Sequence, residues 1–180
     1  MAEPHREPAS MQASAMPLDA LCDDILVRHH ASAHIAVPRI RGQLAALMER
    51  EPGAVPEQLA AAFAVVADLL LSHLAKEENI LFPALSLMAE AERSGAGRPP
   101  LAFPTVLHPI RLMEAEHARL SDGVDELTRL TGNFAAPSAV SGSVRRLFEE
   151  LRTFCAQLSA HLLEENDVLF PRALELDRRL

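Results

Sequence analysis

The chain of 180 residues has no tryptophan and no tyrosine. The missing tyrosine excludes a phenolate metal ligand and tyrosyl-radical chemistry. Cysteine is almost as scarce: Cys22 and Cys155 lie far apart and form no CxxC pair. That excludes a thiolate zinc knuckle or a cysteine-ligated iron–sulfur cluster. Two isolated thiols are expected to be buried and reduced, as in a cytoplasmic protein. Glycine is limited to 7 residues. Positive charge is in deficit, with a formal net charge of −8. No basic stripe marks a nucleic-acid footprint. No apolar run is expected to reach bilayer length, so no membrane association is anticipated. The N-terminus lacks a basic start followed by an apolar core, so no secretory signal is expected.

Alanine and leucine are abundant, and apolar residues make up 49% of the chain. This composition favours packed helices. Residues 1–17 are Pro, Ala, Ser and Met without periodicity and are expected to form a disordered tail. Residues 18–180 are expected to form one all-α, up-down-up-down four-helix bundle. Helix 1 should run over about 18–50, helix 2 over about 57–92 and helix 3 over about 105–131. Helix 4 should start between Ser138 and Ser143 and reach about Asp177. The breaks are Glu51–Pro56 and Ser94–Pro100, and Gly132 caps helix 3. Pro109 suits a first turn, whereas Pro38, Pro83 and Pro171 should kink or loosen their helices.

One motif occurs twice: His73-Leu-Ala-Lys-Glu77-Glu-Asn-Ile-Leu-Phe-Pro83 and His161-Leu-Leu-Glu-Glu165-Asn-Asp-Val-Leu-Phe-Pro171. Residues four apart share a helix face. Each copy therefore aims an imidazole and a carboxylate at one point.

The apolar seams place these pairs inward. Helix 2 reads Leu59, Phe63, Val66, Leu70, His73, Glu77, Ile80, in steps of three and four. Helix 4 reads Val144, Leu147, Leu151, Phe154, Leu158, His161, Glu165, Val168. Helix 3 carries His117 between Met113 and Leu120, and helix 1 carries His30 between Leu26 and Ala33. In an antiparallel bundle the first halves of helices 1 and 3 lie level with the second halves of helices 2 and 4. Six ligand-type groups buried without partners would each cost several kcal/mol. A metal compensates most directly.

The candidate ligands are thus His30, His73, Glu77, His117, His161 and Glu165. Four imidazoles and two carboxylates are too many for one catalytic ion. Two ions ~3.5 Å apart, bridged by both glutamates, use every group. Nitrogen and oxygen ligands suit two non-haem irons with an oxo or hydroxo bridge, with manganese or zinc as possible substitutes. His34 is one turn from His30 but off the seam, a pocket or supporting residue rather than a ligand. His5, His29 and His108 are expected to be solvated. Phe82 and Phe170 should cap the core. Glu78 and Glu164 should be surface carboxylates within reach of the ligand imidazoles.

The paired HxxxE-plus-LFP motif, His30 eight residues before Pro38, and Met113-Glu-Ala-Glu-His117 resemble the hemerythrin-like domain. The nearest resemblance is to the bacterial di-iron proteins termed RIC, for repair of iron centres, over about residues 18–176. It implies that His30, His73, His117 and His161 are terminal iron ligands and that Glu77 and Glu165 bridge. It also implies a role in nitrosative and oxidative stress, with nitric oxide or oxygen as small ligand and iron–sulfur proteins as clients. Two features depart from related patterns. The short N-terminal domain with a Cys-Cys pair is not expected here, where about 17 residues of tail stand before helix 1. Met113 stands where oxygen-carrying hemerythrins place a fifth histidine. The ferritin-like pattern of two Glu-x-x-His motifs fails, because only Glu114–His117 fits. An oxygen or redox sensor, and a metal-free interaction bundle, are the competing expectations.

Overall fold

The computed structural model describes residues 15–136 and 140–180. Four long helices form an up-down-up-down bundle: α1 (18–50), α2 (Glu57–Ser94), α3 (Leu107–Leu130) and α4 (142–179). Each packs on its neighbours in the order α1–α2–α3–α4–α1. Residues 137–139, and all but the last three residues of the expected tail, lie outside the described part.

The ends follow local chemistry. Ser141 caps α4 by accepting the Val144 N–H at 3.3 Å. Gly95 closes α2 with φ +67°, a left-handed conformation that glycine adopts without strain. After α3, Gly132, Asn133 and Phe134 all have positive φ. The Thr131 hydroxyl accepts the Phe134 N–H at 3.1 Å, turning the chain toward α4.

Three of the four helices contain one wide π-helical turn each: Leu26–His30, Glu77–Leu81 and Glu165–Leu169. In the last two, the N–H of Phe82 reaches back five residues to the Glu77 carbonyl, and that of Phe170 to Glu165. Pro83 and Pro171 come immediately after. A proline ring collides with the carbonyl four residues back and offers it no donor. The widened turn absorbs that conflict. Pro38, in contrast, sits inside the regular helix Ala31–Arg50 with no π turn beside it.

The wide turns correct two seam positions. A regular seam puts Ile80 inside, but it is exposed, while Leu81 and Phe82 are buried. In α1, Ile25 rather than Leu26 is buried, so the step to His30 is five residues. Each π turn adds one residue to its helix and rotates the segment beyond it.

The expectation of no bilayer-length run also needs correcting. By length and composition alone, Glu57–Ser94 would pass as a membrane-crossing helix. Its inward face is bundle core, including Leu59, Phe63, Val66, Ala67, Leu70 and Leu74, and it carries His73 and Glu77 to the centre.

The buried apolar residues fall into two clusters. One joins the Ala33–Leu47 part of α1 to Leu59–Leu74, Leu120–Leu127 and Val144–Leu162. The other joins Leu18–Ile25 to Leu81–Ala89, Val106–Met113 and Val168–Leu176. The candidate ligands lie where the two clusters meet: His30, Glu77, His117 and Glu165 fall between them along their helices, and His73 and His161 fall in the last turn of the first.

Candidate metal centre

All six candidate residues meet in this middle layer and are buried. They form two overlapping groups. His30 and His161 share Glu77 and Glu165 on one side, and His73 and His117 share the same glutamates on the other. Within each group the ligand atoms lie within 4.8 Å of one another. Glu77 Oε2 is 3.4 Å from His30 Nε2 and 3.2 Å from His73 Nε2. Glu165 Oε1 is 3.0 Å from His161 Nε2, and its Oε2 is 3.2 Å from His117 Nε2.

Proximity here is not hydrogen bonding. Both oxygens of Glu77, both of Glu165, and Nε2 of His30 and His161 are buried without a hydrogen-bond partner. Such atoms are costly to strand. Nε2 of His73 and His117 stand 3.1 Å apart. Two lone pairs at that distance repel unless a proton or a cation lies between them. The donor set of imidazole nitrogen and carboxylate oxygen fits borderline and hard divalent or trivalent ions. Four histidines and two shared carboxylates fit a pair of ions.

The opposite ring nitrogens are held from outside the cluster. His30 Nδ1 lies 2.9 Å from Glu78 Oε1, which also receives His34 Nε2 at 3.0 Å. His73 Nδ1 lies 3.2 Å from Glu116 Oε2, and the Lys76 ammonium grips the other Glu116 oxygen. His117 Nδ1 lies 2.8 Å from Asn166 Oδ1. In each case an acceptor on Nδ1 fixes the proton there and leaves the Nε2 lone pair facing inward. Phe82 packs on His30 with centroids 5.5 Å apart, and Phe170 on His117 at 5.4 Å.

Burial and charge oppose each other within the cluster. Burial alone would lower the pKa of His30, but the Glu77 carboxylate beside it and the hydrogen bond to Glu78 outweigh it, and the net shift is upward. His73 behaves likewise, through Glu77 and Glu165. Burial works to raise Glu165, yet His161 and His117 hold its carboxyl far below the usual range.

Sequence reasoning missed Glu116 and Asn166. Asn166 had a signal: it follows Glu165 as Glu78 follows Glu77. Glu116 had only its place beside His117. Two expected surface residues prove covered. His29 is half-buried and stacks on His161, with centroids 5.1 Å apart and planes 10° apart. Glu164 binds His29 at 2.9 Å and Arg28 at 2.7 Å rather than a candidate ligand. His34 stays outside the cluster, acting on Glu78, and His108 is exposed.

The profile of the hemerythrin HHE cation binding domain matches residues 108–179, the α3–α4 half of the site. Full-length relatives extend the match over α1 and α2. The iron–sulfur cluster repair protein DnrN of Neisseria gonorrhoeae is 31% identical over 161 residues, covering 89% of this chain and 94% of that protein. The iron–sulfur cluster repair proteins YtfE of Yersinia pestis and Yersinia pseudotuberculosis are 31% identical over 175 residues, covering 96% of this chain and 72% of theirs. With the bundle, the doubled His/Glu motif and this coverage together, the chain belongs to the hemerythrin-like family of iron–sulfur cluster repair proteins.

Proposed function

We propose that this protein holds two non-haem iron ions and acts in the response to nitrosative and oxidative stress, handling nitric oxide or iron in the repair of iron–sulfur centres. The observation that carries this reading is the pair of overlapping ligand groups with stranded buried oxygens and nitrogens. In it, His30 and His161 hold one ion, His73 and His117 the other, and Glu77 and Glu165 span both. Manganese or zinc would satisfy the same donors. Bound iron supplies redox change and affinity for small diatomic molecules. The chain supplies orientation, through Glu78, Glu116 and Asn166, and a dry setting between two apolar clusters.

Met113 is 2% exposed and stands where a further histidine would saturate one ion. With four histidines and two glutamates as the donors, each ion would keep an exchangeable position, which would suit nitric oxide capture better than reversible oxygen carriage. The relatives named for iron–sulfur cluster repair support damaged iron–sulfur proteins as clients. Cytoplasmic residence is part of the proposal, and the two free buried thiols agree with it.

Anaerobic reconstitution with ferrous iron, followed by elemental analysis, should give two irons per chain. One iron or none would overturn the reading. Adding nitric oxide to that protein should produce new visible absorption bands, and oxygen should oxidise it irreversibly. An oxygen adduct released under vacuum would move the protein to the carrier or sensor class.

A further inference from the structure

The two hairpins are related by an approximate two-fold axis. His30 and His117 correspond, as do His73 and His161, Glu77 and Glu165, Glu78 and Asn166, and Phe82 and Phe170. The contacts repeat with the residues. The residue after each shared glutamate bonds Nδ1 of the histidine on the partner helix. The phenylalanine at the end of each π turn packs on that same histidine.

The symmetry fails at one place. Glu116, preceding His117, accepts from His73 Nδ1 and is clamped by Lys76, the residue before Glu77. Its counterpart, preceding His30, is His29. The counterpart of Lys76 is Glu164. The pair His29–Glu164 repeats Glu116–Lys76 with the polarity reversed. His29 cannot receive the His161 Nδ1 proton as a carboxylate does. It lies flat on the His161 ring instead. Among the described residues no hydrogen bond is found at His161 Nδ1, whereas Nδ1 of His30, His73 and His117 each has one. A narrow groove between α1 and α4 opens on this ring, lined by His29, Ala33, Leu70, Phe154 and Gln157.

From this asymmetry we infer that the two metal positions are unequal: the His73/His117 position is the tight one, and the His30/His161 position is the exchangeable one, loaded last and released first. The inference rests on the two-ion reading above. A carboxylate or amide on Nδ1 makes the ring a stronger donor and fixes its direction. Removing such a partner typically weakens metal binding about 10- to 100-fold. The tight position has this support on both histidines. The exchangeable position has it on one, and Glu78 divides its acceptor oxygen between His30 and His34. The groove also reaches the ring of His161, one of the two histidines that would hold the exchangeable ion.

Cobalt(II) gives a test without redox change. Protein loaded with Co²⁺ is mixed with excess chelator, and release is followed by the cobalt absorption bands. Two ions per chain should leave in two phases, with rates about tenfold or more apart. Glu116→Ala should speed the slow phase about tenfold and leave the fast phase unchanged, while Glu116→Gln, which retains an acceptor, should restore most of the difference. Asn166→Ala should act on the slow phase in the same way, and His29→Ala should leave the slow phase unaltered. Proton NMR of half-loaded protein adds a site-resolved readout. Two strongly shifted, exchange-protected imidazole N–H signals should appear first, and Asn166→Ala should expose one of them to solvent exchange. A single release phase from protein holding two ions would overturn the inequality. So would variants at 116 and 166 that act on the fast phase or leave both phases unchanged. Fewer than two Co²⁺ bound would instead overturn the two-ion reading itself.

Discussion

At the residue scale the centre is an exchange of protons for metal. His30 and His73 hold their protons more tightly than free histidine, because the neighbouring carboxylates outweigh burial. Their contribution to the metal-free fold is therefore complete below the ordinary histidine pKa of about 6.5 and is lost as pH rises through the raised values. Glu165, held low by His161 and His117 against burial, works in the other window. Its contribution is present above about 4.3 and disappears as acid protonates it. His29, lowered mainly by burial, opposes the two raised histidines but is one group against two. Metal-free protein should accordingly lose thermal stability as pH rises above about 6.5, and metal-loaded protein should lose much less, since ions replace the protons. Melting curves followed by circular dichroism at several pH values, with and without metal, measure this. A metal-free melting temperature that climbs across the range would contradict it. The six inward residues were legible because type and spacing both marked them. Glu116 was not, since an acidic residue beside a helical seam looks like any solvated carboxylate until a partner helix is placed against it. His29 was misjudged for the same reason: the stacking that covers it comes from α4.

At the element scale, what the sequence concealed was register. A constant step of three or four carries a regular helix past Glu77 to Ile80, and the π turn breaks that count. The buried residues do hold the trace: Ile25 to His30, Glu77 to Phe82 and Glu165 to Phe170 are all five apart. The proline that ends each LFP motif was readable as a disturbance, and its resolution as a widened turn rather than a kink needed the structure. Helix separation was equally hidden. α2 and α3 approach closely at Gly123, where an added Cβ would stand 2.4 Å from Val66 Cγ2. Val66 is β-branched and 3% exposed, so it has little room to turn aside. Gly123→Ala should gain about 1 kcal/mol of helix propensity and lose about 1–3 kcal/mol to overpacking, a net destabilisation on the order of 1 kcal/mol. The double variant with Val66→Ala should relieve the clash, so that the two effects are less than additive in a denaturation cycle. Strict additivity would mean that the two helices do not constrain each other there.

At the scale of the whole molecule, the centre is a polar layer between two separate apolar clusters. Each cluster takes residues from all four helices, so each holds its own end of the bundle without metal. The polar layer is where the fold loses stability, with both oxygens of Glu77 and Glu165 stranded in the interior. Ions that bind only the folded chain stabilise it by about 2.7 kcal/mol apiece at a free concentration 100 times the dissociation constant. For a protein of this size, each kcal/mol raises the melting temperature by roughly 2–4 °C. Two ions should therefore add roughly 10–20 °C at that concentration. Chelation should remove this gain while far-UV circular dichroism at room temperature keeps its helical amplitude. Hydrogen exchange should localise the change. Amides of 77–81 and 165–169, whose wide turns flank the ligands, should lose protection first, ahead of those in the two clusters. Loss of most helical signal on chelation would show instead that the metal layer organises the entire bundle, as in small domains that fold only around their ions. The two-cluster arrangement argues for the first outcome, because a scaffold that survives empty can release an ion and take another without unfolding.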